Sequence, residues 1–411
     1  MNNYNIEGFN DIHFEELQGY DAVTKIIEEL MHTYGYTQVL TPTFESYDMY
    51  DIDGAFPRQK MFKLVDNDGK VLVLRPDATI PIARMAATGY KCKEDCLKFG
   101  YITTIFKHIS STTSFRKEFM QAGVEYLGNE SADCDAEIIS LASNILVNLG
   151  LEKLHIDIGE VSYLNSLFND TSINPTEKVK ILNYIENKNI GELRNYLISI
   201  DLPLNIKEIL CEIPMLFGQF EDTIYRAKGL CINESMKNAI DNMEQTYEII
   251  KNYGYEKYVF ADLGFTNQFN YYSGLIFKGY VNGIGESILS GGRYDTLSST
   301  FGVDRPASGF GINISLLIDV LHNSFETKHY FDMLLMYDDP STSVAISTSQ
   351  VFRSKRYTVN CINEKYSNCI KKENYKYVVK VINKNFFILT KEGLSSVTQD
   401  ELHGLYEERC I

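Results

Sequence analysis

The sequence predicts an α+β fold: an antiparallel sheet with helices packed on it, followed by a small α/β unit. Three observations predict it. Extended stretches recur through residues 1–325 and are joined by hairpins rather than by regular helical crossovers. Segments of helical period stand between them and end on glycine. From Glu326 to Ile411 short apolar runs resume around one polar helix, which marks a separate C-terminal domain.

In chain order, Leu17, Tyr20, Ile27, Leu30, Met31 and Tyr34 fall on one helical stripe, and Gly35 supplies the stop. A short strand is expected at Val39 and Leu40. Met61–Val65 and Val71–Leu74 flank Asp66-Asn67-Asp68-Gly69 as a hairpin. Pro81 suits the start of a helix through Ala87, and a further helix should run from about Asp135 to Leu149. Extended segments follow at His155–Ile158, Tyr258–Asp262, Leu275–Val281 and Ser287–Leu289. Between about Asn165 and Tyr253 the chain turns polar and helical, with Met236, Ile240, Met243, Tyr247 and Ile250 at helical spacing, which reads as a helical insertion. In the tail, Met333–Met336, Tyr357–Ile362 and Tyr377–Ile382 read as strands.

Charge and cysteine use narrow the function. The chain carries 39 Lys+Arg against 55 Asp+Glu, a net charge of -16, and a field of that sign repels a polyanion. The segment from Glu326 holds 12 Lys+Arg and 11 Asp+Glu, so no basic patch there restores a nucleic-acid reading. The 28 tyrosines without a basic stripe do not make a base-stacking platform. No signal sequence and no membrane span are expected. Eight scattered cysteines fit reduced thiols in cytoplasm. Cys92, Cys96 and His108 are too sparse for a metal site, so no metal is expected. Gly291-Gly292 lacks the Lys-Ser/Thr of a phosphate-binding loop and reads as a close approach between strands.

Four stretches, taken in order, resemble the class II aminoacyl-tRNA synthetase core in its histidyl branch. They are Leu74-Arg75-Pro76-Asp77-Ala78-Thr79, Phe119-Met120-Gln121-Ala122-Gly123-Val124-Glu125, Asn270-Tyr271-Tyr272-Ser273-Gly274 and Ser290-Gly291-Gly292-Arg293-Tyr294-Asp295. The resemblance spans about Gly8 to Leu321. It implies an antiparallel sheet of six or more strands, a homodimer through this core, a helical insertion, and a tail like a shortened anticodon-binding domain.

Within that resemblance the chemistry of ATP is disarmed. Lys107 stands where the family places a phosphate-clamping Arg, Ile109 where a Glu recognises adenine, Leu316 where an Arg binds ATP, and Asn267 where histidyl enzymes carry a catalytic Arg. One preorganised donor of this kind contributes about 3 kcal/mol to the transition state. Two losses cost on the order of 6 kcal/mol, roughly four decades in rate. The amino-acid side is kept. The resemblance implies that Asp77, Thr79 and Gln121 receive an α-ammonium group, while Glu125 and Tyr272 face an imidazole. An ammonium needs acceptors, and an imidazole N–H needs a carboxylate or phenol oxygen. Asp77 departs from the longer Glu of the synthetases. If the Tyr271-Tyr272 pair were extended, the two rings would point to opposite faces and only one would line the pocket. Arg75, Arg84 and Arg293 read as structural partners of nearby carboxylates.

Lost ATP chemistry beside a retained amino-acid site is similar to the ATP phosphoribosyltransferase regulatory subunit family. That family implies a non-catalytic chain with no cofactor, assembled with a short-form catalytic subunit in histidine biosynthesis and taking part in inhibition by L-histidine. The competing readings are an active histidyl-tRNA synthetase, which needs the cations replaced at Asn267 and Leu316, and a stand-alone histidine sensor.

Overall fold

The computed structural model describes the chain except residues 1–3, 5, 51–57, 91–94, 109–115, 152, 169–172, 267–270, 322–330, 391–392 and 405–411. Two compact units divide it, residues 1–322 and 323–411. The boundary expected at 325/326 lies outside the described residues.

The first unit begins with α1 (Phe14–Thr33), then β1 (Thr37–Gln38), β2 (Phe44–Ser46), β3 (Lys63–Val65) and β4 (Val71–Leu74). Helix α2 (Thr79–Gly89) leads to the long strands β5 (Leu97–Phe106) and β6 (Glu118–Leu127). After α3 (Ala132–Asn148) come β7 (Leu154–Glu160) and α4 (Val161–Asn165). The insertion holds α5 (Pro175–Glu186), α6 (Ile190–Ser199), α7 (Leu204–Glu212), β8 (Phe217–Gln219), α8 (Phe220–Gly229) and α9 (Glu234–Tyr253). Strands β9 (Val259–Asp262), β10 (Leu275–Val281), β11 (Leu289–Arg293) and β12 (Ala307–Asn313) complete the core, with α10 (Ile314–Leu321) after them.

Nine strands form the central sheet in the order β1-β5-β6-β12-β11-β10-β7-β9-β8. Most pairs are antiparallel, as expected from the hairpins. Two are not: β1 lies parallel to β5, and β7 parallel to β9. Each of those pairs is linked by a long connection, through α2 and the small sheet in one case and through the insertion in the other. A connection of that length can return the chain in the same direction. The expected hairpin at 61–74 belongs to a separate three-stranded sheet, β2-β4-β3.

Alternation along the long strands gives the sheet two faces. Even-numbered Ala122 and Val124 are buried on the face toward which α1 and α10 pack, where the Tyr20 hydroxyl of α1 donates to Ser315 Oγ at 2.8 Å. Odd-numbered Phe99, Tyr101 and Ile105 face the other way and join Ala78, Ile82, Tyr271 and Tyr294 in a second core. The buried stripe of α1 is Tyr20, Val23, Ile27 and Met31; Leu17, at its margin, is exposed. Helix α2 starts two residues before Pro81, because the Asp77 carboxylate accepts the Ile80 amide at 2.8 Å and satisfies a first-turn donor. In α9 the five residues expected on its apolar face are all buried. The insertion is not wholly helical, since β8 adds to the sheet edge beside β9.

The second unit carries β13 (Phe331–Tyr337), α11 (Thr342–Ser354), β14 (Val359–Asn363), β15 (Tyr375–Ile382), β16 (Asn385–Thr390), β17 (Gly393–Val397) and α12 (Gln399–Gly404). Its sheet runs β14-β13-β15-β16-β17, parallel in the first three strands and antiparallel in the last two pairings. The β15–β16 hairpin closes on Asn383 and Lys384, with φ of 48° and 66°. Two left-handed residues make the turn whose twist suits a two-residue hairpin, and with no glycine there the sequence signal is weak. Lysine in this conformation is disfavoured by about 1 kcal/mol. Lys384→Gly should therefore stabilise the chain by about 0.5 kcal/mol after the entropy cost of glycine. Urea unfolding followed through the tail would check it; a lower midpoint would contradict the turn geometry.

Candidate functional site

Three glycines shape the floor of the site. Strand β6 pairs with β12 so that Glu125 lies opposite Gly309, Gly123 opposite Gly311 and Gln121 opposite Asn313. A Cβ on Gly309 would fall 1.9 Å from Glu125 Oε2, and one on Gly311 would fall 1.7 Å from Gln121 Nε2. A Cβ on Gly123 would meet the Tyr101 hydroxyl at 2.5 Å. No side chain fits at these places, so Glu125, Gln121 and Tyr101 lie across the strands instead of standing away from them.

Above this floor is a cavity of about 190 Å³. All six residues expected at the site, Asp77, Thr79, Gln121, Glu125, Tyr271 and Tyr272, line it. Both tyrosines reach it because residues 271–273 are not in a strand, so the alternation expected of an extended pair does not apply. Their rings pack at 4.8 Å between centroids, and Tyr271 meets Tyr294 edge-on at 6.0 Å.

Glu125 is 1% exposed, and each of its oxygens accepts one hydroxyl. Thr79 Oγ1 donates to its Oε1 at 2.7 Å, and the Tyr294 hydroxyl donates to its Oε2. Burial pushes the carboxyl up to about 8, against the two hydroxyl donors that favour the ion. The Thr79 hydrogen is thus directed to Glu125, leaving its oxygen lone pairs to accept from a ligand. Gln121 Nε2 donates to the Tyr101 hydroxyl at 3.2 Å. Asp77 is raised by burial, opposed by the Ile80 amide and by the charge of Lys107.

Sequence reasoning placed Lys107 on the ATP side, and missed Tyr294, which lines the cavity, and Tyr101, which holds Gln121. Among the described residues lining the cavity, Lys107 is the one cation; burial lowers it to about 8, while Asp77 favours its charge. Tyr294 had a usable signal, since it lies in the same Ser290–Asp295 motif. Tyr101 had none, because its role depends on Gly123 across the ladder. Leu316 heads into α10 and is absent from the lining; Ile109 and Asn267 lie outside the described residues.

The arginines are structural. Arg293 gives 2.9 Å to Asp135 and 3.1 Å to Asp295, and donates to the carbonyls of Asn129 and Ser131. Asp295 in turn binds Ser273, which holds the chain next to Tyr272. Arg84 pairs with Glu45 at 3.1 Å. Arg75, expected to pair with a carboxylate, instead donates to the carbonyls of Thr41, Pro42 and Thr104, because it is buried against turning backbone. Among the described residues no group of three or more His, Cys, Asp and Glu is placed to hold a metal ion, and no helix is long and apolar enough to cross a membrane.

The family model described as histidyl-tRNA synthetase matches residues 8–317. An ATP phosphoribosyltransferase regulatory subunit from Clostridium acetobutylicum is 36% identical over 333 residues, 80% of this chain and 82% of that one. One from Alkaliphilus metalliredigens is 38% identical over 323 residues, 78% and 82% of the two chains. Among solved structures, an ATP phosphoribosyltransferase regulatory subunit/histidyl-tRNA synthetase from Bacillus halodurans superposes with a TM-score of 0.82 at 30% identity, covering 91% of this chain and 97% of that one. Histidyl-tRNA synthetase from Nostoc shares the fold, with a TM-score of 0.78 at 18% identity over 98% and 99%.

The carboxyl of Glu125 carries a prediction. Its folded value, about 8, lies above the ordinary 4.5. Its contribution to stability is therefore complete below pH 4.5 and is lost as pH rises through about 8. Glu125→Gln, which cannot ionise, should gain a few kcal/mol relative to wild type between pH 5 and pH 8.5. Thermal unfolding at the two pH values measures this; an unchanged difference would show that the carboxyl is already ionised in the folded protein.

Proposed function

The chain belongs to the ATP phosphoribosyltransferase regulatory subunit family, built on the histidyl-tRNA synthetase fold, and from that premise we propose a non-catalytic, histidine-sensing subunit. It activates a separate short-form catalytic subunit in the first step of histidine biosynthesis, pairs with a second copy of itself through the core, and works in the cytoplasm. Neither nucleic acid nor a cofactor takes part.

The observation that carries this reading is the convergence of complementary groups on one small cavity. Asp77, Gln121 and the oxygen of Thr79 offer acceptors to an α-ammonium group, and Lys107 offers a cation to a carboxylate. Glu125 and Tyr272 offer oxygens to an imidazole. A free amino acid with an imidazole side chain meets all of these, so L-histidine is the proposed effector. Feedback control needs binding coupled to a second conformational or assembly state, and no transition-state cation. The replacements at Lys107, Ile109, Asn267 and Leu316 support catalytic silence, and favour this reading over an active synthetase.

Titration calorimetry tests the effector. Glu125→Ala should leave an imidazole N–H unpaired and weaken histidine binding about 5- to 150-fold, that is by about 1–3 kcal/mol. Inhibition of the assembled enzyme that is unchanged in Glu125→Ala and Tyr272→Ala would place the effector site elsewhere.

Two further measurements address activity and assembly. The isolated chain should give no histidine-dependent pyrophosphate exchange; exchange at a synthetase-like rate would overturn the assignment. Co-expression with a short-form catalytic subunit should yield one larger species on size exclusion. Two separate peaks, with a catalytic subunit fully active alone, would count against it.

A further inference from the structure

The insertion meets the core in two ways. Helices α8 and α9 pack directly on it, α9 against α3 and β7, and α8 against β9. The outer helix α5, which packs on α6, also meets it at a polar junction at its end. Lys188, two residues past that end, has a left-handed backbone with φ of 52°. Its ammonium lies 2.7 and 2.9 Å from the two carboxylate oxygens of Asp262, the last residue of β9. Asp262 is 7% exposed and also accepts the Gly264 amide at 2.8 Å. A non-glycine residue keeps a left-handed conformation where its surroundings hold it, and this half-buried ion pair helps to do so.

Glu186, the last residue of α5, completes the junction. It accepts a hydrogen bond from Thr266 Oγ1 at 2.5 Å, and its other oxygen lies 3.7 Å from Lys278 Nζ on β10. Both contacts lead to the wall of the cavity. Lys278 stands opposite Ser290 in the β10–β11 ladder, and Ser290 lines the cavity. Thr266, Lys278, Ser290 and Tyr272 also line a second void of about 30 Å³, which shares Tyr272 and Ser290 with the cavity. That void leaves the shared wall room to repack when the cavity is filled.

We propose that Glu186 and Lys188 form a clasp through which α5 and α6 sense whether the amino-acid cavity is occupied. A ligand pressed on Tyr272 and Ser290 fixes the wall in one packing. Thr266 and Lys278, held by Glu186, pass that ordering to the end of α5, which Lys188 fastens to Asp262. The mechanism requires two packings of the wall with different ligand affinity, so coupling is reciprocal: breaking the clasp must also alter affinity. This inference rests on L-histidine as the occupant.

Amide hydrogen exchange on the full chain, with and without saturating L-histidine, tests it alongside calorimetry. In wild type, histidine should slow exchange across residues 175–199 by on the order of 5-fold or more, the size of a typical coupling. Lys188→Met and Glu186→Gln should abolish that response while still binding histidine, with an altered Kd. Helix α9, packed directly on the core, should exchange alike in all three proteins and reports that the variants are folded. An equal response of residues 175–199 in wild type and both variants would overturn the clasp, as would no response in wild type at full occupancy. If calorimetry detects no histidine binding to wild type, the effector assignment fails and the clasp falls with it.

Discussion

Glu125 is a carboxyl group laid flat on the middle of a nine-stranded sheet, and it can lie there because β12 presents no side chain where it passes. A single Cβ at Gly309 would occupy the space of its oxygen, and one at Gly311 would displace Gln121. With those positions bare, Glu125 comes within reach of Thr79 from the start of α2 and Tyr294 from the end of β11. Three distant parts of the chain are thereby tied at one carboxyl, and the cavity is what remains above the knot.

Burial sets the electrical character of that cavity. Desolvation raises Glu125 and Asp77 and lowers Lys107, so each is moved toward its neutral form. The surrounding phenols, Tyr101, Tyr271, Tyr272 and Tyr294, are raised by the same cause and stay protonated as hydrogen-bond donors. A site of this kind is tuned to a ligand that brings its own charges in complementary places. Among the described residues that line it, Lys107 is the one cation.

The arginines that resemble ligand contacts in the sequence serve the frame instead. Arg293 ties α3 to the end of β11 through Asp135, and through Asp295 it holds Ser273 beside the tyrosine pair. Arg75 gathers the carbonyls of Thr41 and Pro42, where the chain enters the small sheet, and that of Thr104 in β5. Breaking a buried pair such as Arg293–Asp135 leaves an uncompensated charge, at a cost of about 3–5 kcal/mol. The residues that carry charge near the cavity thus divide cleanly between holding its walls and facing its interior.

By itself the sequence determined the α+β class and a helical insertion, because periodicity and glycine stops are local properties of the chain, and the family resemblance of its ordered motifs implied six of the residues that line one cavity. It also contained Tyr294, inside a motif read for other reasons. Tertiary structure alone decided the parallel pairings of β1 with β5 and of β7 with β9, the reach of both Tyr271 and Tyr272, and the β15–β16 hairpin closed without glycine. It decided the position of Lys107 and the protonation of Glu125 as well. Those depend on desolvation and on partners far away in the chain: the hydroxyls that fix Glu125 come from residues 46 and 169 positions distant. No local pattern records how deeply a group is buried or which remote donor meets it, and that burial sets the charge the site presents.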